Sequence, residues 1–471
     1  MRQIGEHAVV LGAGIAGLMA ARVLVEAYDR VTVVERDVLR TSGDGRRGVP
    51  QGRHAHALLP RGGDIVGDLF PGIVQELVDD GAVVAEPLVD FRLSAAGHTL
   101  RKVPIGATAL QCSRPFLEDH IRNRVTALPG VTLTDGCDVV GLTVEGDRRR
   151  VTGVRIVRRQ PGSAEEELAA GLVVDAMGRG GRTPAWLQAL GYPRPREEEF
   201  RVGVAYASRL LRLPPDAAGV EKAVGTGPVP GRPRGMMMLA IEDECRLLTL
   251  AGFDGTHRPP SDEDGFLAFA ATVAPPDVFA AVRDAEPLGG IATYRYPSYL
   301  RRHYQEMSSF PDGLLVIGDA LCSFSPIYAQ GMTVAALQAV ALRDSLGRGP
   351  AGLARRYFRA AARVTDDPWQ MATGADLALP EVDGPRPLRV RVMNAYAARI
   401  QAAAATDATV ARQFMRVTGL LDPPSRMLRP GFLWRVLRRR ATPDLVRTPA
   451  GARPDQPATE DRGPATGAGV R

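Results

Sequence analysis

Two groups of residues in this 471-residue chain have types and spacing suited to chemistry. The first is Gly12-Ala13-Gly14-Ile15-Ala16-Gly17, with Glu35 and Arg36 following. Glycine serves the first position for a tight bend, the second so that backbone can approach a pyrophosphate, and the third for close helix–strand packing. A helix opening there aims its free N–H groups at phosphates. Glu35 stands eighteen residues beyond Gly17, where a carboxylate can accept hydrogen bonds from ribose hydroxyls. The pattern predicts a dinucleotide site. It does not separate a nicotinamide from a flavin.

That choice falls on Leu314-Leu-Val-Ile-Gly-Asp319-Ala-Leu-Cys-Ser-Phe-Ser-Pro326-Ile-Tyr-Ala-Gln-Gly331-Met332. Asp319, at the end of an apolar strand, can hold a hydroxyl of a linear polyol such as a ribityl chain. Gly331 lets backbone come close to a ring, and a helix over 333–346 behind it offers N–H donors and partial positive charge. Such an end suits the flavin N1–C2=O edge, which becomes anionic on reduction. The two groups together predict FAD.

The elements that must position these residues are legible in outline. Strands at 8–11 and 31–35 flank a small-residue helix, and the apolar runs at 172–176 and 314–319 add two more buried strands. This predicts an α/β fold with a Rossmann-like FAD-binding domain drawn from 1–90, 105–195 and 305–350. Strand-like segments at 200–213, 235–253 and 291–299, the second turning at Glu242-Asp243-Glu244, predict a β-rich substrate domain over 91–104 and 196–304. Residues 351–447 read as helical, for example 390–405, with breaks at Pro423-Pro424 and Pro430. The Pro-, Gly- and Thr-rich stretch 448–471 is expected to be disordered. Asp262-Glu263-Asp264 is read as the start of a helix over 265–273 capped by Ser261, with no metal role.

Bulk properties exclude several classes. The four cysteines, Cys112, Cys137, Cys245 and Cys322, have no Cys-x-x-Cys spacing, so neither zinc nor a disulfide framework is expected. No apolar run approaches the roughly 20 residues of a membrane span, and no secretory signal is recognised, so a cytoplasmic protein is expected. The net charge of +6 rests on arginine, since Lys102 and Lys222 are the only lysines. Arg148-Arg149-Arg150 at a hairpin turn and Arg438-Arg439-Arg440 at a helix end read as solvated charge, so no nucleic-acid partner is expected.

Four ordered segments carry a family resemblance: Val49-Pro-Gln-Gly-Arg53-His-Ala-His56, Cys112-Ser-Arg114-Pro-Phe-Leu117, Val174-Asp175-Ala-Met-Gly178 through Trp186-Leu187, and the stretch around Asp319. With the first turn, they resemble the FAD-dependent class A monooxygenases built on the p-hydroxybenzoate hydroxylase fold. More narrowly the chain looks like the actinobacterial branch with the flavin epoxidases of polyether antibiotic biosynthesis, distantly akin to squalene epoxidase. The resemblance implies that Arg114 binds the FAD backbone, that a main-chain group at Val139 meets adenine, and that Arg53 lies in a loop near the cofactor. It also implies NAD(P)H as electron donor, O2 as co-substrate and a C4a-hydroperoxyflavin.

Two residues depart from the family pattern beside the expected ring: Ser325 for asparagine and Ala329 for glycine. Met177 and Gly181 also replace common serines. His56, Met236 and Met238 are the expected substrate-lining residues, with His54 weighed beside His56 on the same loop. No clear base is found in the β-rich insertion, which, with the apolar stretch 236–241, favours a hydrophobic polyketide or polyene substrate; epoxidation of it is chiefly what the resemblance implies. Aromatic hydroxylation, a flavin reductase of the geranylgeranyl reductase kind, and a non-enzymatic binding protein stay open.

Overall fold

The apolar runs near the start form the strand Gly5–Leu11 and, beyond the helix Ile15–Leu24, the strand Tyr28–Val34, paired in parallel. The computed structural model describes residues 3–39, 46, 48–217, 219–253 and 257–438. Val131–Thr134 adds to one side of the first pair, and Leu172–Asp175 and Leu314–Val316 to the other, giving a five-stranded parallel sheet. Ala8 to Leu11, Val173 and Val174, and Leu314 to Val316 are all at most 1% exposed. A parallel sheet covered on both faces selects such uninterrupted apolar runs, so three distant pieces of chain meet in it. The helix after the first strand lies very close to the sheet. A Cβ on Gly17 would fall 1.9 Å from the Gly12 carbonyl oxygen, and Gly12 itself has φ +103°.

A second, nine-stranded sheet is mixed. Its central run pairs Ala292–Arg302, Glu197–Arg212, Arg246–Gly252, Arg234–Ala240 and Ala223–Thr226 antiparallel, and Phe91–Ala95 joins Ala223–Thr226 in parallel. The period of two divides this sheet into faces. Ala207, Met236, Met238, Leu248 and Leu250 point to one side, where Phe266, Phe269, Val278 and Val282 of the helices Glu263–Ala271 and Pro276–Arg283 cover them. Ser208, Met237 and Thr249 are cross-strand neighbours on the other side, which meets the loop carrying His54 to Ala57. Met236 and Met238 are therefore core residues under two helices and not substrate-lining. A run of three methionines does not say which face is which, and the helices settle it.

Three further strands, Cys137–Val144, Val151–Arg158 and Glu165–Ala169, form an antiparallel sheet, with Arg148 at φ +59° in the first turn. After the long helices Gln330–Leu346 and Leu353–Asp376 come Leu388–Ala404, Ala408–Thr418 and Pro430–Arg438. These last three bury Ile400, Val410, Phe432 and Val436 against Leu88, Leu100, Val103 and Ile105. Pro430 opens a helix at its first position, where no N–H is needed. The helix expected over 265–273 starts at Glu263, and its cap is Asp262, not Ser261: the Asp262 carboxylate accepts the Gly265 N–H at 2.8 Å. The expected disordered stretch 448–471 lies outside the described residues. All four cysteines are free and buried, and among the described residues there is no cluster of three metal-ligating groups and no helix long and apolar enough to cross a membrane.

Because Met238 is 1% exposed in this core, Met238→Ala is expected to cost roughly 2–5 kcal/mol of stability. Denaturant unfolding measures it. A loss well under that range, with altered small-molecule binding, would return Met238 to a ligand pocket.

Candidate cofactor and active site

The parallel sheet brings its functional residues to one edge. Gly12 follows Leu11, Glu35 follows Val34, Asp175 ends its strand, and Asp319 follows the strand Leu314–Val316, all at carboxyl ends of neighbouring parallel strands. Ligands of open α/β sheets bind along that edge. Glu35 is 6% exposed; its Oε2 accepts the Ala13 N–H at 2.7 Å and its Oε1 the Asp37 N–H at 2.9 Å. The carboxylate thus holds the glycine turn as well as facing its rim. Above Gly14 no atom lies within 4 Å of where a Cβ would stand, so its backbone is open to approach.

Arg46 is a participant that sequence reasoning missed. It donates to the Ala13 carbonyl at 3.1 Å, lies 3.5 Å from Glu35 Oε2, and pairs with Glu118 at 3.0 Å. Arg114, first residue of the helix Arg114–Thr126, donates to Glu118 at 3.1 Å, so two guanidinium groups share one buried carboxylate beside the turn. Arg36 and Arg53 are exposed, and Arg36 pairs with Asp138 at 3.2 Å. Val139 is half-buried, and its carbonyl accepts from Arg182 at 3.4 Å. Within the Asp175 segment, the carboxylate accepts from Met177 N–H at 2.9 Å and from the Thr183 hydroxyl at 2.6 Å.

The second group of residues touches the first. Gly318 has φ +68°, and a Cβ there would fall 2.5 Å from the Ala16 Cβ, so the strand end before Asp319 rests on the first helix. Burial raises the Asp319 carboxyl above its ordinary range, and Arg114 and Arg179 partly offset this. Pro326–Tyr328 forms a single helical turn, Ala329 takes φ +53°, and the helix opens at Gln330, earlier than the expected 333. Gly331 and Met332 lie in its first turn, where backbone N–H groups have no partner within the helix. Gly331 faces open space, whereas the Met332 side chain is 8% exposed and packs in the core.

Unpartnered polar atoms gather around this helix start. Gln330 Oε1, Thr333 Oγ1 and both ends of the wholly buried Gln111 have no hydrogen-bond partner. They are linked in space: Leu58 bridges to Leu110, and a Cβ on Gly62 would fall 2.5 Å from Thr333 Oγ1. His54, 2% exposed, bonds to Ser208 Oγ at 2.7 Å and lies 5.9 and 5.8 Å from the rings of Tyr206 and Tyr294, with its Nε2 unpartnered. Burial and Arg53 push its pKa down to about 4, so it is neutral at pH 7. His56 bonds to the His54 carbonyl at 2.8 Å, and burial with Arg114 lowers it too. Each buried orphan costs about 1–3 kcal/mol unless a ligand satisfies it. The orphans and the open backbone at Gly14 and Gly331 fit an elongated dinucleotide with a polar ring.

The two departures in the loop have separate consequences. Ser325, with no exposed surface, lies 3.2 Å from the Tyr206 hydroxyl, so a tyrosine on the mixed sheet supplies the reach that serine lacks. A further missed residue is Asp376, which closes the helix Leu353–Asp376 and accepts the hydroxyls of Tyr299 at 2.6 Å and Tyr328 at 2.7 Å. It had a signal. Asp376 falls four residues after Ala372 and seven after Trp369, on the buried stripe of that helix.

No family model matches the chain. Over 434 residues it is 39% identical to Protein Rv3254 of Mycobacterium tuberculosis, spanning 88% of this chain and 90% of that one. The chain belongs to the same family as Protein Rv3254. Among solved structures it is similar to the flavin-dependent brominase Bmp2, with a TM-score of 0.65 at 17% identity over 88% of this chain and 93% of that one. The p-nitrophenol 4-monooxygenase PnpA of Pseudomonas putida DLL-E4 gives 0.63 at 15% over 88% and 97%, and a flavoprotein/dehydrogenase of Cytophaga hutchinsonii 0.65 at 13% over 91% and 96%. The fold is therefore the α/β fold of flavin monooxygenases, with its parallel sheet, mixed sheet and C-terminal helices. These three bear names of different reactions, so the fold alone does not choose among them.

Ala329 holds a left-handed backbone that favours glycine. Ala329→Gly is expected to stabilise the protein by about 0.5–1 kcal/mol, read as a higher unfolding midpoint. An unchanged or lower midpoint would show that the turn does not hold Ala329 in that conformation.

Proposed function

We propose that the protein is an FAD-dependent monooxygenase using NAD(P)H and O2 on a hydrophobic small molecule. The observation that carries this is the contact of Ala16 with Gly318, which makes one continuous edge of the glycine turn and the Asp319–Gly331 segment. In this reading Gly12, Ala13, Gly14, Ala16 and Gly17 cradle the diphosphate and Glu35 takes the adenosine ribose, with Arg36, Arg53, Arg114 and Val139 around that half. Asp319 takes the ribityl chain, and Pro326, Gly331 and Met332 form the backbone along the ring. Bound there, FAD supplies the redox chemistry, taking electrons from the nicotinamide and activating O2. The chain's own work is to bind, orient and exclude water. Gln111, Gln330 and Thr333 offer the polar contacts, and the wall of His54, Tyr206 and Tyr294 is uncharged at pH 7.

For the substrate, the polyether-type resemblance supports epoxidation of a polyketide or polyene alkene. A second reading, hydroxylation of an aromatic ring, is favoured by one observation: Asp376 places a carboxyl behind Tyr328 of the Pro326–Tyr328 turn. In that second reading the base comes from a helix outside the β-rich insertion.

Purified protein loaded with FAD is expected to be yellow and to incorporate label from 18O2 into product when NAD(P)H is supplied. Product without label would indicate a reductase, brominated product a halogenase, and a protein that cannot be loaded a binding protein. Each of these outcomes sinks the monooxygenase assignment. Glu35→Ala is expected to weaken FAD binding roughly 10- to 100-fold, the worth of hydrogen bonds to a charged group. Titration of FAD by fluorescence reads it.

A further inference from the structure

The large apolar side chains that stand in solvent are not scattered over the molecule. Among the described residues ten are exposed, and six of them, Leu388, Val392, Met393, Leu428, Trp434 and Leu437, belong to the helices Leu388–Ala404 and Pro430–Arg438 and the helical turn Pro424–Leu428. The other four are valines of the first ninety residues. Single exposed apolar residues are ordinary, whereas a gathering of bulky ones marks a surface that meets a partner. In the helix Leu388–Ala404 the buried residues Ile400, Ala403 and Ala404 all lie in the second half, and five of the first six residues are exposed. Tyr396, one turn past Val392 and Met393, donates its hydroxyl to the Met427 carbonyl at 2.5 Å, which ties that end of the helix to the turn carrying Leu428. The helix Pro430–Arg438 follows directly, with Phe432 and Val436 turned inward and Trp434 and Leu437 outward.

Positive charge is concentrated on the same elements. Between Pro385 and Arg440 the sequence holds twelve arginines against two acids, Asp407 and Asp422, so the rest of the chain is net negative although the whole carries +6. Both acids are engaged. Asp407 caps the helix Ala408–Thr418 and lies 3.4 Å from Arg435, and Asp422 pairs with Arg416 at 2.8 Å. Arg389, Arg391, Arg399 and Arg429 are exposed and form no ion pair among the described residues. The Arg438 guanidinium lies over the outward Trp434 ring, 4.7 Å from its centre.

This mixture selects among partners. A nucleic-acid backbone would match the arginines and leave six bulky apolar groups against hydrated phosphate. A second copy of the chain would set like charge against like. An anionic lipid surface answers both features, because apolar side chains and arginine stems enter the acyl boundary while guanidinium groups stay level with the phosphates. Tryptophan suits that boundary, with an apolar ring and one N–H.

We propose that these C-terminal helices are a docking surface for an anionic phospholipid bilayer, which Leu388, Leu428, Trp434 and Leu437 enter to the depth of the headgroups and the arginines hold by its phosphates. The helices lie along the bilayer, since no described helix is long and apolar enough to cross one. They are fixed to the body of the protein by backbone: the Arg101 N–H donates to the Ala404 carbonyl at 2.9 Å, and Arg412 and Arg416 donate to the carbonyls of Pro104 and Ile105. The docking surface is independent of the flavin reading.

Co-sedimentation of the full chain with lipid vesicles tests it. With equal parts of phosphatidylcholine and phosphatidylglycerol the protein is expected to pellet at low ionic strength and to be released by molar salt, where the screening length is ~3 Å. With phosphatidylcholine alone it stays in solution. Arg389→Gln with Arg391→Gln should weaken binding roughly 5-fold for each charge removed, and Trp434→Ala with Leu437→Ala roughly 10-fold or more. All four side chains are exposed, so the unfolding midpoints should match the parent's. Arg148→Gln with Arg149→Gln, at the exposed hairpin turn, is the charge control and should bind as the parent does. In the unaltered protein, lipid brominated on its acyl chains should quench tryptophan fluorescence, and Trp434→Phe should remove that quenching. This reading decides the question even where another variant folds poorly. Absence of pelleting with the anionic vesicles, equal pelleting with neutral ones, or an equal loss in the hairpin variant overturns the proposal. So does quenching that survives Trp434→Phe, or a lipid-free dimer that Trp434→Ala with Leu437→Ala dissolves, which would give the surface to a second copy.

Discussion

The structure depends first on how closely the helix Ile15–Leu24 lies against the parallel sheet. Gly17 permits that approach on one side, since any side chain would strike the Gly12 carbonyl, and Gly318 permits it on the other, against Ala16. Protein interiors are packed too densely to absorb such clashes. If the helix stood further out, the turn around Gly14 would lose its bend and the Leu314–Val316 strand would lose its support. The two halves of the candidate site would then separate. The Gln338 side chain secures the same junction from a third element, its Oε1 accepting the Gly318 N–H at 2.7 Å.

This explains what could be read from the residues and what could not. The parallel sheet was legible because buried parallel strands leave continuous apolar runs, and Leu172–Asp175 and Leu314–Val316 are of that kind. The turn was legible because its glycines answer local backbone demands. Faces of the mixed sheet were not. Met236, Met237 and Met238 are chemically identical, and only the packing of Phe266 and Phe269 tells the core pair from the one opposite. Arg46 was missed for a related reason: a guanidinium in a glycine- and arginine-rich loop has no periodicity that states its target. Asp376 could have been found from its place on the apolar stripe of its helix, but its two tyrosines come from a strand and a loop far away in sequence.

The mixed sheet divides its labour between faces. Toward the helices Glu263–Ala271 and Pro276–Arg283 it offers methionine, leucine and alanine, a dry core that gives stability. Toward the loop of His54 it offers hydroxyls: Ser208 and Thr249 lie 2.6 Å apart, and between them they bond His54 and the Ala55 N–H. Hydroxyl pairs inside a sheet give little hydrophobic gain. Their value is positional, because they hold the His54 ring between Tyr206 and Tyr294 and leave its Nε2 without a hydrogen-bond partner.

That unpartnered nitrogen belongs with Gln111, Gln330 and Thr333. A folded chain seldom leaves several buried polar atoms unsatisfied in one region, because each subtracts from a small net stability. Near the first turn of a helix with free N–H groups, they offer donors and acceptors to a polar ligand. Binding such a ligand would stabilise the fold by mass action, most strongly at this junction of sheet, loop and helix. Local stability and site occupancy are then one property. Ser325 shows the same dependence between elements: its hydroxyl lies 3.2 Å from that of Tyr206 on the mixed sheet, so the loop depends on the second sheet as much as on its own sequence.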